Sequence, residues 1–257
     1  KFGVFNMILI KLGGHALSGS TNWIDTLKKH WLKGTRFVIV HGGGPQIDLA
    51  LKAEKIDSEF RDGLRVTSES AMRIVSSTLI GTVQRSIVDD LRRFKIPAVG
   101  ISGSDGGIIS AVPKDNGKYG LVGDVTSINI DLIQLLLNGG FIPVISPIAS
   151  GENGESLNVN ADIAAGAIGG TLEVDEVIFM TDVPGIYRNW PEKNSIIEKI
   201  SIDELQSMSF VDGMIPKVEA VRNAINSGAS SARIIDGKDD AALELALQNL
   251  GGTWIQK

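Results

Sequence analysis

Two short glycine-rich segments contain the first residues of this sequence whose types and spacing could support chemistry. Lys11–Gly14 (KLGG) ends an apolar run that begins at Met7, and His41–Pro45 (HGGGP) follows the apolar run Arg36–Val40. A lysine inside a buried strand is rare unless it is paired or functional. Glycine N–H groups at a strand-to-helix turn, aimed by the helix dipole, form an anion site. The two segments therefore predict a binding site for phosphate groups.

Three further polar segments supply charged groups and amides: Asp62–Thr67 (DGLRVT), Asn158–Asp162 (NVNAD) and Asp212–Lys217 (DGMIPK). Arg65 suits two-point capture of a carboxylate, although a lone arginine is more often solvated. Asn160 is a natural helix N-cap, and Asp162 behind it can either complement the helix dipole or hold cations in place. Lys217 near the start of a helix opposes the dipole, which favours a functional lysine over a solvated one.

These segments place lysines, an arginine, an aspartate and two glycine-rich anion sites at the ends of predicted strands. Phosphoryl transfer requires such a set, because its catalysis depends on positioning and on positive charge rather than on covalent machinery. The chain contains no Walker A segment of the form GxxxxGK[ST], and no GxGxxG segment follows its first strand. These two absences argue against a P-loop NTPase and against a dinucleotide-dependent dehydrogenase.

Composition narrows the class of protein further. The 257 residues are 43% hydrophobic and 21% charged, with a net charge of −5, which argues against a disordered chain and against a general nucleic-acid binder. The absence of cysteine excludes thiolate catalysis and disulfides, and the three histidines are too widely spaced to predict a metal site. No apolar run reaches the ~18 residues that cross a bilayer, and the N-terminus lacks a signal-peptide pattern. We therefore expect a cytoplasmic protein that binds neither membrane nor nucleic acid and offers no metal ligands of its own.

Short apolar runs alternate with longer amphipathic stretches along the chain. The runs predicted as buried strands are Met7–Leu12, Arg36–Val40, Ile96–Ile101, Phe141–Ile145, Val177–Thr181 and Ala232–Ile235. Alternation of nearly all-apolar strands with helices, of which Ser68–Phe94 is the longest, predicts an α/β fold with helices on both faces of a parallel sheet. Extra strands near Ile108–Val112 and Leu121–Val125 predict a hairpin carried on that sheet. A glycine-rich helix end near Gly169–Asp175 predicts a lobe boundary there.

The ordered set of motifs resembles the amino-acid kinase family. Besides the segments above, Gly120–Val125 (GLVGDV) and Thr181–Gly185 (TDVPG) occur in the order and spacing of that family, and the resemblance runs from about Met7 to Ile255. GLRVT and NVNAD are its more specific parts, whereas KLGG is shared more widely. Within the family, the combination is most similar to the branch that phosphorylates the side-chain carboxylate of N-acetyl-L-glutamate in arginine biosynthesis.

The resemblance implies a role for each matching position. Lys11 and Lys217 would neutralise charge on the transferred phosphoryl group and on the leaving β-phosphate, and Asp162 would orient both lysines. The expected N–H donors to phosphate are Gly13, Gly14, Gly43 and Gly44. The expected substrate-binding residues are Gly43, Gly44, Arg65 and Asn158, the last two on the α-carboxylate, with Asn160 near the reacting end. The expected ATP-binding residues are Gly13, Gly14, Thr181, Asp182, Gly185, Phe210, Gly213 and Met214.

The resemblance also implies a fold, a cofactor and an assembly. The expected fold is a three-layer α/β/α sandwich around a mainly parallel open sheet. An N-terminal lobe (1–173) would bind the amino-acid substrate and form homodimers, and a C-terminal lobe (174–257) would bind ATP with Mg²⁺. Arginine-inhibited relatives carry an extra helix before the first strand, whereas six residues precede Met7 here. We therefore expect a homodimer that is insensitive to arginine.

Two alternative functions stay open at this point. The first is the same reaction on a carrier-linked or N-acetylated α-aminoadipate in lysine biosynthesis. That substrate differs by one methylene, which a pocket discriminates by only ~1–3 kcal/mol. The second is a non-catalytic chain that binds nucleotide or a partner protein. Lys11, Asp162 and Lys217 argue against it, because such a chain has no need for that buried charge.

Overall fold

The structure is a computed structural model that describes residues 6–14, 21–189, 192–210 and 214–257. Its strands are β1 (Met7–Leu12), β2 (Arg36–His41), β3 (Phe60–Arg61), β4 (Leu64–Arg65), β5 (Ala98–Ser102), β6 (Ile109–Pro113), β7 (Gly123–Ile128), β8 (Ile142–Ser146), β9 (Ile148–Ser150), β10 (Ser156–Asn158), β11 (Glu176–Thr181), β12 (Lys199–Ser201), β13 (Ser231–Asp236) and β14 (Thr253–Gln256). Its helices are α1 (Asn22–Trp31), α2 (Gly44–Ala53), α3 (Glu69–Ser76), α4 (Arg85–Arg93), α5 (Asp131–Asn138), α6 (Ala161–Thr171), α7 (Ile202–Ser207), α8 (Ile215–Asn226) and α9 (Ala242–Leu247).

Eight strands form the central sheet in the order β12-β14-β13-β11-β1-β2-β8-β5. Within the described residues, neighbouring strands of this sheet run parallel except where β13 meets β14. The strands that follow position 173 occupy one half of the sheet, and the earlier strands occupy the other half. β1 lies in the middle, between β11 and β2, so the turns that follow these three strands are neighbours in space.

Helices cover both faces of the central sheet, because its middle strands are apolar on both sides. One face packs against α5, α6 and α8, with Leu9 and Val38 in the shared core. The opposite face packs against α1, α4 and α9, with Ile10 and Ile39 in the core. Burial of these side chains supplies the main stabilising free energy. The predicted three-layer α/β/α sandwich around a mainly parallel sheet is confirmed.

The six strands predicted for the sheet are all present: β1 has the predicted bounds, and the ends of the others differ by at most two residues. The predicted hairpin also forms, as the antiparallel pair of β6 and β7. The expectation that it joins the central sheet is wrong, because it belongs to a separate sheet of order β10-β9-β6-β7. Periodicity reports which face of a strand is buried, but it carries no information on the sheet to which the strand belongs.

The long helix predicted at Ser68–Phe94 is continuous, but its middle is a π-helix, Ser77–Gln84, that joins α3 to α4. π-helical turns inside α-helices are rare and are frequent at functional sites. Here Leu79 and Val83 pack on Gly43, where an added Cβ would lie 2.8 Å from one side chain and 3.1 Å from the other. The amide of Gln84 donates to a carbonyl of β5 at 2.7 Å and to a carbonyl of β8 at 3.1 Å. The π-helix therefore supports the glycine-rich turn of β2 by packing against Gly43.

Helices α6 and α8 pack at very short range, because α6 presents glycines to its neighbour. An added Cβ on Gly166 would lie 2.4 Å from the backbone oxygen of Ala220, and one on Gly170 would lie 2.8 Å from that of Ala224. Both contacts advance by four residues along each helix, so the helices run parallel and their N-termini lie together. This packing sets how closely the first turns of α6 and α8 approach.

Replacement of Gly166 by alanine tests that packing. We expect Gly166→Ala to lower the free energy of unfolding by about 1–3 kcal/mol, because the methyl group forces the helices apart. The matched control is Gly81→Ala in the π-helix, where no atom of the described residues lies within 4 Å of an added Cβ. That substitution should be neutral or stabilise by up to ~1 kcal/mol. Urea unfolding measures both, and equal effects would contradict the tight α6–α8 contact.

Candidate active site

The glycine-rich turns meet at the carboxyl ends of the three middle strands. β1 runs into Gly13 and Gly14, β2 runs into Gly42–Gly44, and β11 ends at Thr181. An added Cβ on Gly14 would lie 2.6 Å from the Cδ atom of Pro45, so the two turns are in contact. Ligands bind to open parallel sheets at this edge, where helix N-termini also converge.

Gly13 does not present its N–H group to a ligand. This N–H donates to the backbone oxygen of Met180 at 3.0 Å and continues the ladder between β1 and β11. The expectation that the Gly13 N–H binds phosphate is therefore contradicted. The missing side chain is still required, since a Cβ would lie 2.8 Å from the same oxygen and 3.7 Å from the Cα of Thr181. The place of Gly13 beside the nucleotide stays a prediction.

One carboxylate lies between two lysine ammonium groups at this edge. Asp162 Oδ1 lies 2.7 Å from Lys11 Nζ, and Asp162 Oδ2 lies 3.8 Å from Lys217 Nζ. Lys11 and Asp162 are only 7% and 6% exposed. Oδ1 accepts no directed hydrogen bond from the described residues, so its attraction to Lys11 is mainly Coulombic. Two cations and one anion leave a net positive charge, which favours the binding of an anion.

The helix that carries Asp162 is started by the predicted cap. Asn160 precedes α6 with an extended backbone, and its Oδ1 accepts hydrogen bonds from the N–H groups of Asp162 at 2.8 Å and Ile163 at 3.2 Å. The cap holds the first turn of α6 rigidly, and the dipole there favours a negative side chain. Lys217 lies in the first turn of α8, whose N-terminus is adjacent through the α6–α8 packing.

All five residues predicted to bind substrate line one cavity of about 400 Å³ beside the turn of β2. They are Gly43, Gly44, Arg65, Asn158 and Asn160. The volume falls in the ~300–1,000 Å³ range of small-molecule sites. An added Cβ on Gly44 would meet no described atom within 4 Å, and Gly44 opens α2, where the first N–H groups have no partner within the helix. The cavity thus combines backbone donors with one guanidinium and two amides.

Arg65 is 8% exposed and is held by several contacts. Its Nη1 lies 2.7 Å from Asp48 Oδ1 and also bonds to Ser58 Oγ, and its guanidinium stacks 4.5 Å from the centre of the Phe60 ring. Its Nη2 reaches the backbone oxygen of Gly44 at 3.5 Å. Asp48 therefore neutralises part of the positive charge of Arg65. The motif did not predict this contact, because the two residues are distant in sequence.

Asn158 is connected to Arg65 through a buried threonine. The Asn158 amide donates to Thr67 Oγ1 at 3.2 Å, and Thr67 Oγ1 donates to the backbone oxygen of Arg65 at 2.8 Å. Because each polar group in this series of hydrogen bonds has a partner, the Arg65 guanidinium and the Asn158 amide keep fixed positions on the cavity wall.

A small hairpin covers the cavity. β3 and β4 pair with Asp62–Gly63 between them, and both residues have positive φ, +50° and +76°. This is the two-residue loop that Asp-Gly favours, a hairpin signal that could have been read from the sequence. Tyr119, 3% exposed, donates to Asp62 Oδ2 at 2.6 Å. This bond and Lys118 lower the pKa of Asp62, and they tie the hairpin to the neighbouring turn.

The predicted nucleotide-binding residues are less completely defined. Thr181 is buried at the end of β11 and donates to Asp182 Oδ1 at 2.9 Å. Gly185 packs against β14, where an added Cβ would lie 2.6 Å from Thr253 Oγ1. The half-buried side chains of Phe210 and Met214 pack on the core. Gly213 lies outside the described residues. The nucleotide roles of this set stay predictions.

His41 is fully buried directly before the glycine-rich turn of β2. Burial lowers its pKa to about 4, against a smaller opposite effect of its hydrogen bond with the Gly42 carbonyl. Its Nδ1 lies 2.9 Å from that carbonyl oxygen. No individual role was predicted for His41, and the signal that could have singled it out is a histidine at the end of an otherwise apolar strand.

The fold and this edge define a class of protein: an α/β/α phosphotransferase whose site joins glycine-rich turns to a lysine–aspartate–lysine cluster. The sequence pattern of the amino acid kinase family matches residues 6–236. The chain belongs to the amino acid kinase family.

Two similar proteins within the family are named acetylglutamate kinases. The acetylglutamate kinase of Synechococcus sp. (strain CC9311) is 43% identical over 216 residues, which cover 82% of this chain and 76% of that protein. The acetylglutamate kinase of Geobacillus sp. (strain WCH70) is 39% identical over 236 residues, which cover 90% of each.

Solved structures share the fold. The protein smu.665 from Streptococcus mutans UA159 superposes with a TM-score of 0.83 at 30% identity. The superposition covers 97% of this chain and 98% of the smu.665 chain. The N-acetylglutamate synthase from Neisseria gonorrhoeae, complexed with coenzyme A and N-acetyl-glutamate, has a TM-score of 0.84 at 22% identity. The superposition covers 98% of this chain and 59% of the synthase chain. At this identity the likeness supports the fold alone.

The lowered pKa of His41 predicts a dependence of stability on pH. Between the ordinary pKa of ~6.5 and the folded value of about 4, the unfolded chain binds a proton at His41 that the folded chain excludes. Stability should therefore fall as the pH drops through this window, by up to ~1.4 kcal/mol per pH unit from His41. Urea unfolding at pH 7 and pH 5 should show a larger loss for the wild type than for His41→Asn. Equal losses would contradict a buried neutral imidazole.

Proposed function

We propose that this chain transfers the γ-phosphoryl group of ATP to the side-chain carboxylate of N-acetyl-L-glutamate, the acetylglutamate kinase reaction of arginine biosynthesis. The observation that carries the proposal is the pairing of Asp162 with both Lys11 and Lys217 beside two glycine-rich turns. The 39–43% identity to named acetylglutamate kinases supports the choice of substrate.

The acceptor requires little activation by the protein. A side-chain carboxylate has an unperturbed pKa near ~4.3 and is ionised at neutral pH. One of its oxygens forms a bond to the γ-phosphorus while the bond from that phosphorus to the β–γ bridging oxygen breaks. The electron pair of the broken bond stays on the leaving ADP, and no proton has to move. A general base is therefore unnecessary.

The lysine cluster suits the charge that develops in this transfer. The transferred phosphoryl group spreads negative charge over its oxygens, and the leaving β-phosphate gains charge as the bond breaks. Lys11 and Lys217 would each offset part of this charge, and Asp162 would keep the two ammonium groups in place. Because Lys11 and Asp162 are nearly excluded from water, each charge acts more strongly than at the surface.

The cavity supplies recognition of the amino-acid substrate. Arg65 and Asn158 would bind its α-carboxylate, and their link through Thr67 favours a fixed spacing. Asn160 would lie near the reacting carboxylate, with its amide nitrogen available because its Oδ1 caps α6. Gly43 and Gly44 would donate backbone N–H groups to the transferred phosphoryl group.

ATP would bind along the ends of β1 and β11, beside Gly13, Gly14, Thr181, Asp182, Gly185 and the segment from Phe210 to Met214. In the described residues, no group of three or more histidine or acidic side chains is placed to hold a metal ion. Both oxygens of Asp162 already face lysines. The chain therefore fits Mg²⁺ that arrives on the phosphates of ATP and neutralises part of their charge there.

The division of the sheet at β11 and β1 supports two lobes, 1–173 for the amino-acid substrate and 174–257 for ATP. Homodimerisation through the N-terminal lobe and a cytoplasmic location are parts of the same proposal. No helix within the described residues has the length and apolarity that a membrane crossing requires.

The decisive experiment measures ADP release with Mg-ATP against N-acetyl-L-glutamate, N-acetyl-α-aminoadipate, L-glutamate, L-aspartate and UMP. Hydroxylamine traps an acyl phosphate as a hydroxamate. We expect turnover on N-acetyl-L-glutamate well above the rest, with hydroxamate formed. A preference for the aminoadipate compound would replace the substrate and keep the chemistry, and silence across the panel would reject the proposal.

A lysine variant tests the assigned site in the same assay. Lys217→Met should lower kcat by about 100-fold or more, because it removes a charge aimed at the transition state. Asp162 keeps Lys11 as its partner in this variant, so the fold should survive. The matched control is Lys52→Met on the exposed surface of α2, which should leave kcat unchanged. Equal kinetics for the two variants would remove Lys217 from the mechanism.

The hairpin over the cavity gives a second kinetic prediction. Tyr119→Phe removes the hydrogen bond to Asp62 that ties β3–β4 to the neighbouring turn. We expect KM for N-acetyl-L-glutamate to rise by roughly 3–10-fold, the size of effect that the loss of one typical hydrogen bond implies, with KM for ATP unchanged. Steady-state kinetics with each substrate varied in turn measures this, and an equal rise in both constants would contradict a local role.

A further inference from the structure

The imidazole of His41 makes one hydrogen bond that determines its tautomer. Its Nδ1 lies 2.9 Å from the backbone oxygen of Gly42. A carbonyl oxygen can only accept, so Nδ1 must carry the hydrogen. Since the imidazole is neutral at ordinary pH, Nε2 is then a bare acceptor.

The Gly42 carbonyl and the Gly43 N–H belong to one peptide group. This group is planar and trans, so its C=O and N–H bonds point in opposite directions. When His41 holds the carbonyl toward the buried interior, the Gly43 N–H is turned toward the opposite side. Gly42 and Gly43 both line the 400 Å³ cavity. The hydrogen bond to the carbonyl therefore controls a donor at the site.

This peptide group needs such control because glycines flank it on both sides. Glycine occupies more of φ/ψ space than any other residue, so a peptide between two glycines can rotate at little cost. A larger residue would have to displace a side chain of the π-helix, since an added Cβ on Gly43 would lie 2.8 Å from Leu79. Packing thus favours glycine in the turn, and the orientation of the turn has to be restrained by a neighbouring side chain.

A second unpartnered polar atom lies next to His41. Val40 pairs with Ile145, so His41 and Ser146 are the next residues in register on β2 and β8, and their side chains share one face of the sheet. Both are fully buried, and His41 Nε2 and Ser146 Oγ have no hydrogen-bond partner among the described residues. An acceptor and a hydroxyl on strands ~4.8 Å apart that form no direct hydrogen bond can be joined through one water.

We propose that His41 is a positioning residue, which through its Nδ1–H tautomer fixes the Gly42–Gly43 peptide so that the Gly43 N–H faces the transferred phosphoryl group. A water held by the Ser146 hydroxyl donates to Nε2 and holds the ring in this tautomer. His41 itself touches neither substrate. The catalytic part of this inference rests on the proposed kinase function.

Two amide substitutions separate this role from a general structural one. The Asn side-chain nitrogen superposes on Nδ1 and that of Gln on Nε2, so His41→Asn keeps the donor to Gly42 and His41→Gln does not. We expect His41→Asn to stay within about 3-fold of the wild-type kcat. His41→Gln should lower kcat by about 10-fold or more with KM for both substrates little changed, since the lost donor acts in the transition state. Equal kcat values for the two variants would overturn the proposal.

The tautomer is measured without any assay of activity. In protein labelled with ¹⁵N-histidine, two-bond ¹⁵N–¹H correlations distinguish a protonated from a bare ring nitrogen, and His41→Asn identifies the resonances of His41 among the three histidines. We expect a protonated Nδ1 and a bare Nε2 at pH 7. A protonated Nε2 would overturn the proposal even if His41→Gln does not fold.

The same spectrum tests Ser146 and separates this inference from the function. Ser146→Ala should shift the Nε2 resonance while Nδ1 stays protonated, and an unmoved Nε2 would overturn the role given to Ser146. If the wild type phosphorylates none of the tested acceptors, the kinase proposal fails while the tautomer still reports on the His41–Gly42 bond.

Discussion

The structure depends on one electrostatic constraint, a buried carboxylate that must lie between two lysines. Asp162 and Lys11 are almost completely removed from water, and a buried charge without a partner costs several kcal/mol. The fold must therefore bring the end of β1 and the first turns of α6 and α8 to one point. The parallel sheet supplies the first position, and the glycine-lined contact between α6 and α8 supplies the other two. Function and folding thus depend on the same set of contacts.

Glycine serves this arrangement by permitting close approach rather than by making loops flexible. Gly13 lies against the oxygen of Met180, Gly43 lies against the π-helix, and Gly166 lies against α8. In each case a single methyl group would displace a backbone or a buried side chain. The 30 glycines of the sequence therefore include several points where the main chain closely approaches other atoms, and only some of them face the ligand site.

The cavity and the charged cluster have different roles in the site. The cavity wall is formed by Arg65, Asn158 and the hairpin β3–β4, each held by contacts to residues distant in sequence. The charged cluster lies at strand and helix ends, where the main-chain dipoles point inward. The glycine-rich turn of β2 belongs to both, which is why the orientation of its peptide groups matters for the reaction. Support from both His41 and the π-helix matches this shared position.

The sequence by itself determined the element types, the parallel sheet and the strand ends that carry the site, because hydrophobic periodicity, caps and glycine turns are local properties. The HGGGP, GLRVT and NVNAD motifs were enough to select five residues that all line the cavity. Only the tertiary structure decided that Asp48 pairs with Arg65, that Met180 occupies the Gly13 N–H, that β6 and β7 leave the central sheet, and that the long helix widens at Ser77–Gln84. Each of these depends on a contact between residues far apart in the chain, and local pattern contains no information about such contacts.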